Sequence, residues 1–217
     1  MNIQLSDHFN YKKLFLFTLP SVVMMVFTSV YCVVDGFFVS NFAGKTAFAA
    51  INLIMPFIMI LGGIGFMIGT GGSALVSYTL GTGDKEKANR YFSMMVYFTI
   101  LAGILLTVLG IIFVRPIAEL FGADESMMDT CVLYGRIVIA FNAAFMLQNI
   151  FQSFFVVAEK PRLGLIVTIA AGVTNMVLDA LFVGVFKWGI VGAALATGIS
   201  QSIGGLLPLL YFALPNN

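Results

Sequence analysis

The chain has 217 residues, of which 60% are hydrophobic and only 10% charged, and its mean hydropathy is +1.02. A soluble domain carries about 25% charge, so the composition excludes a water-soluble globule and defines an integral membrane protein. A net charge of +1 with no basic tract excludes the electrostatic footprint of a nucleic-acid or polybasic membrane-surface binder, and charge implies no partner other than the bilayer itself.

Charge-free runs extend over Leu14 to Val34, Thr46 to Gly83, Tyr91 to Val114, Ile137 to Ala158, Leu163 to Leu178 and Trp188 to Asn217. A spanning helix needs about 20 residues, which predicts an all-α bundle of six transmembrane helices. They fall at about 13–40, 47–79, 90–115, 128–158, 162–186 and 189–212, and residues 1–217 form a single membrane lobe. Lys12 and Lys13 before the first run resemble the start of a secretory signal. The run exceeds the roughly 7–15 residues of a signal core and no small-residue cleavage site follows, so it reads as a retained first helix. Pro20 lies inside it, where the missing backbone donor permits a bend.

The second run holds Gly62, Gly63, Gly65, Gly69, Gly71 and Gly72, a small-residue signal for close helix approach centred on Gly65-x-x-x-Gly69. The glycines miss the dinucleotide-binding spacing and no strand precedes them. Gly81-Thr-Gly-Asp-Lys-Glu-Lys-Ala-Asn-Arg90 is a solvated connector. The third helix ends near Arg115-Pro116, and the fourth begins around Met128 and extends as one helix to about 158. Glu159-Lys-Pro-Arg162 and Lys187-Trp-Gly189 divide the last three, with Trp188 an interfacial anchor. Lys12, Lys13, Lys85, Lys87, Arg90, Lys160 and Arg162 fall on one side, against Lys45, Arg115, Arg136 and Lys187 on the other; this bias puts the former, and both termini, in the cytoplasm. Cys32 and Cys131 show no pairing pattern and read as small hydrophobes, and His8, the one histidine, as a solvent-exposed tail residue.

Two acids lie well inside the spans. Asp35 precedes the turn at Gly44 by nine positions, Asp179 precedes Lys187 by eight, and Thr197 follows Gly189 by eight. At 1.5 Å per residue all three sit roughly 12–14 Å below the outer boundary. Asn175 lies one turn deeper than Asp179, and Tyr31 one turn from Asp35 on the same face. A charge at mid-helix costs about 2.5–3.5 kcal/mol on insertion scales, so two at one depth ask for a function rather than for helix glue. Two carboxylates, an amide oxygen and a hydroxyl form a hard-oxygen set for a cation such as Na+, and neighbouring buried carboxylates serve H+ equally well; the residues alone leave both open. An intramembrane aspartyl protease would want Tyr-Asp and Gly-x-Gly-Asp where this chain has Val34-Asp35 and Leu178-Asp179, and the chain is not read as an enzyme. The fourth helix adds Asn142, Gln148, Asn149 and Gln152, flanked by Phe145 and other phenylalanines, which suit either a cavity for amphipathic molecules, with Tyr31, or bundle packing.

Several segments, in this order and spacing, resemble the amino-terminal lobe of a prokaryotic multidrug and toxic compound extrusion (MATE) transporter. They are Pro20, Val34-Asp35-Gly-Phe-Phe-Val-Ser, Gly81 to Arg90, Glu159-Lys-Pro-Arg162, Asn175-Met-Val-Leu-Asp179 and Gly189-Ile-Val-Gly-Ala-Ala-Leu-Ala-Thr197. The resemblance implies a secondary exporter of organic cations and other drugs in the inner membrane, driven by Na+ or H+ and needing no other cofactor. Asp35, Asn175, Asp179 and Thr197 match the family's cation ligands, and Pro20 its bending proline. Such transporters have twelve helices in two lobes, so a second lobe or another copy of this one is the expected partner, and the chain is expected to be a fragment rather than a natural half-transporter. Lipid-linked precursor flippases of related fold are an alternative; they use a strongly cationic cavity, whereas Arg136 is the one basic residue placed inside a span. A structural subunit without transport activity is the other alternative.

Overall fold

The computed structural model describes residues 11–214, so His8 and the segment 215–217 lie outside the described residues. Helix α1 (Tyr11–Phe38) passes directly into a π-helical stretch, Val39–Ala43. There follow α2 (Lys45–Gly81), α3 (Lys85–Leu120), α4 (Glu125–Ala140), α5 (Asn142–Val157) and α6 (Pro161–Asp179). A second π-helical stretch, Ala180–Val185, extends α6, and α7 (Gly189–Ala213) closes the bundle. Five of these helical units are long and apolar enough to cross a membrane, and α4 with α5 makes a sixth if the bent pair is one span. Among the described residues there is no strand.

Helix ends follow local chemistry. The Asp84 carboxylate accepts a hydrogen bond from the Lys87 amide at 3.0 Å and starts α3; Asp124 does the same for α4 through the Met127 amide at 3.0 Å. Pro161 occupies the first turn of α6, where its missing N–H costs nothing.

Two expectations are corrected. The third helix does not end at Arg115-Pro116 but runs on to Leu120. Pro116 removes a single ladder bond, and the helix stops where Gly122 adopts φ +93°, with its amide on the Glu119 carbonyl and that of Ala123 on Ala118. The fourth helix is not continuous: α4 and α5 meet at Phe141 with a 54° bend. The Phe141 ring lies against Gly198 of α7, where a Cβ would come within 2.1 Å of Phe141 Cδ2, so the glycine opens the space into which the broken corner packs.

Helix α2 is the central post, packed along α5, α3 and α4. Its glycines permit this: a Cβ at Gly65 would lie 2.6 Å from Met146 Cα, and one at Gly69 2.9 Å from Ile150 Cα. One core cluster, around Ile54, Val114, Tyr134, Ile139 and Val183, fills the half of the bundle nearest the α1–α2 turn. A second, around Val76, Ile150, Phe151 and Phe154, fills the other half. Tyr97, Leu101, Ile104, Leu105, Val108 and Ile112 form an exposed apolar stripe along α3, as a lipid-facing helix requires. Helix α1 packs chiefly on α6 and buries only Met24. It runs through Pro20 without a break, the proline depriving the Leu16 carbonyl of its usual donor.

Candidate cation site

Asp179 ends α6 and Asp35 lies in the last turn of α1; both helices continue as π-helical stretches, and the two stretches pack against each other. The wider π turn is a common companion of functional sites because it re-aims the residues around it. Here it begins four residues after Asp35 and directly after Asp179. Gly172 of α6 brings the helices together: a Cβ there would meet Phe27 Cε1 at 2.5 Å and Tyr31 Cδ1 at 2.9 Å.

The two carboxyl groups lie within hydrogen-bond reach of one another whenever one carries a proton. Asp179 is completely buried and Asn175, one turn away, is 2% exposed. Both carboxylate oxygens of Asp179, Oδ1 of Asp35 and Oδ1 of Asn175 are buried without a hydrogen-bond donor from the protein. Oxygens so placed cost free energy unless a proton or a cation sits among them. The donor set is all oxygen, and among the described residues no group of three or more His, Cys, Asp or Glu assembles a transition-metal site.

Thr197 approaches from α7 beside the hydroxyl of Tyr134, which lies in the field of both acids. Tyr134 is 1% exposed and absent from the sequence-derived set. A tyrosine in a span ordinarily reads as an interfacial aromatic; the one local signal here is the adjoining Gly135, which lets α4 press against Val114.

Asp35 lines a cavity of about 480 Å³ between α1 and α2, together with Cys32, Ser40, Asn52 and Met55, whereas Asp179 is fully buried and is not part of that lining. The lining of that cavity contains no basic residue, and Arg136 points outward from α4.

The polar residues of α5 are distributed differently. Asn149 donates to the Gly62 carbonyl at 3.1 Å and Phe145 covers the same glycine, tying α5 to α2. Asn142 is buried with its amide nitrogen on Met146 Sδ, and Gln148 is buried against Gly204 of α7. Gln152 shares a small cavity with Gln148 and Thr168, and Tyr31 stays beside Asp35. The structure therefore groups Asp35, Asn175, Asp179, Thr197 and Tyr31 at one place, and distributes Asn142, Phe145, Gln148, Asn149 and Gln152 along the α2–α5–α7 seams.

The described helices thus form a membrane bundle with two paired carboxyl groups between α1 and α6. Residues 20–181 match the MatE family model, and the chain belongs to that family. It is 26% identical over 202 residues to multidrug export protein MepA of Staphylococcus saprophyticus, covering 93% of this chain and 45% of the relative. The same values hold for MepA of Staphylococcus aureus strain MRSA252. Among solved structures it is similar to a crystal structure described as MATE in the straight conformation, with TM-score 0.86, 22% identity, 93% of this chain and 45% of that one. The corresponding bent conformation gives TM-score 0.84 at 22% identity, over 92% of this chain and 45% of that one. A MOP superfamily transporter from Pyrococcus furiosus, described as having a binding pocket of reversed polarity, gives 0.86 at 22%, over 93% and 44%. Likeness at this identity establishes the fold. The chain spans about half the length of the relatives it matches.

Proposed function

We propose that the chain is the ion-binding lobe of a cation-coupled multidrug exporter, with Na+ or H+ as the transported coupling ion held by Asp35, Asn175, Asp179 and Thr197 and assisted by Tyr134. The observation that carries this reading is the meeting of the Asp35 and Asp179 carboxyl groups, three of whose oxygens are buried without a protein donor, beside a cavity that Asp35 lines. Multidrug export by the MepA relatives supports the cargo, small organic cations or amphipathic drugs. A second six-helix lobe, or another copy of this one, completes the transport pathway, because alternating access moves one bundle against another. Both termini and the Lys85–Arg90 and Lys160–Arg162 connectors face the cytoplasm on the basic-residue bias, and Pro20 supplies flexibility in α1. A flippase for anionic lipid precursors would want basic groups in the cavity, and the residues lining the cavity beside Asp35 include none.

The test uses the full-length transporter in energised vesicles under an imposed Na+ or pH gradient. Asp35→Asn and Asp179→Asn should each abolish drug efflux while membrane insertion and monodispersity stay intact. Normal efflux from either variant overturns the assignment.

A further inference from the structure

At the end of the bundle away from the acids, two cavities of about 450 and 360 Å³ lie between α3, α5 and α7. They share Phe92, Ser93 and Phe212, so they form one groove rather than two pits. Its rim is polar, with Lys160, Tyr211, Asn89 and Ser93; its continuation is apolar, with Val96, Ile100 and Leu209. We infer that this groove binds an anionic phospholipid, its phosphate at Lys160 and one acyl chain lying along α3.

Charge decides the headgroup. Lys160 is the one charged side chain in the lining of the groove. Its ammonium donates to the Tyr211 hydroxyl at 2.5 Å and stands 5.3 Å from the ring centroid, so the tyrosine fixes its position. An ammonium has three donors, and one is directed to Tyr211. An organic cation would be repelled here, and a zwitterionic headgroup would bring its own cation against Lys160. A phosphodiester without a compensating cation fits, and Asn89 and Ser93 on the first turns of α3 add polar partners.

Shape decides the rest. A free phosphate would occupy only the rim and leave the apolar continuation empty. The walls are set by rings that brace one another: Phe92 meets Phe154 edge-on at 4.8 Å, and Phe151 stacks on Phe212 at 5.7 Å. Tyr97, 69% exposed, marks where the groove joins the lipid-facing stripe of α3, so an acyl chain can enter sideways from the bilayer.

The test is native mass spectrometry of the full-length transporter, delipidated and then offered equal amounts of phosphatidylglycerol and phosphatidylcholine with identical acyl chains. The wild type should retain one phosphatidylglycerol in preference by about fivefold, the effect of one basic side chain on an anionic lipid. Lys160→Met should bring the ratio to about one, and Ser93→Trp, at the junction of the two cavities, should remove retention of both lipids. Both positions are exposed, so neither variant disturbs the core. Three results would each overturn the inference: equal retention by the wild type, an unchanged ratio in Lys160→Met, or a photo-crosslinker at position 93 capturing the chain that follows Leu214 instead of lipid. None of these readouts depends on drug export.

Discussion

Tyr134 shows what a single side chain adds to the site. Its ring fills core beside Ile54 and Ile139, while its hydroxyl reaches Thr197 and the field of the two acids. Tyr134→Phe separates these roles, keeping the packing and removing one oxygen. A polar contact of that kind is worth about 1–1.5 kcal/mol. In the full-length transporter the half-saturating ion concentration should therefore rise by roughly fivefold to tenfold, with accumulation in the membrane unchanged. An unaltered ion dependence of efflux would remove Tyr134 from the site. Asp35 and Asp179 were legible from the chain because their distances from neighbouring turns can be counted, and the structure holds their carboxyl groups together. Tyr134 was not, because its partners come from helices remote in sequence, and counting along one helix says nothing of which face meets another.

At the scale of the element, hydropathy located the spans, and glycine spacing located a close helix contact on α2. The contact makes a paired prediction. Gly65→Val would drive a branched side chain into the Met146 backbone, so folded protein should be lost from the membrane fraction. Gly71→Ala, where a Cβ meets nothing within 4 Å, should be tolerated and gain up to about 1 kcal/mol of helix propensity. Thermal unfolding in detergent, followed by size-exclusion fluorescence, distinguishes the two; equal behaviour would mean that α2 and α5 do not approach as described. The bend at Phe141 lay beyond reach of the sequence, since no proline or glycine marks it and the charge-free run continues through it. It depends on the vacancy at Gly198, more than fifty residues away. The π-helical stretches after Asp35 and Asp179 likewise carry no local signature.

For the whole molecule, the alternation of connectors between two ends gives a topology that labelling can check. In a Cys32→Ser background, Lys85→Cys should react with a membrane-impermeant thiol reagent only in inside-out vesicles, and Lys45→Cys only from outside. The reverse pattern would invert the proposed orientation. The bundle also distributes its apolar core unevenly. Helices α2, α3, α4, α5 and α7 share nearly all of it, whereas α1 leans on α6 and contributes Met24 alone. Shifting α1 would thus disturb few buried contacts. The seam it would open is the one across which Asp35 faces Asp179, so on the proposed function ion occupancy and the position of α1 are two readings of a single equilibrium. On that proposal a proton or Na+ between the carboxyl groups would draw the helix in, and two bare carboxylates would push it away.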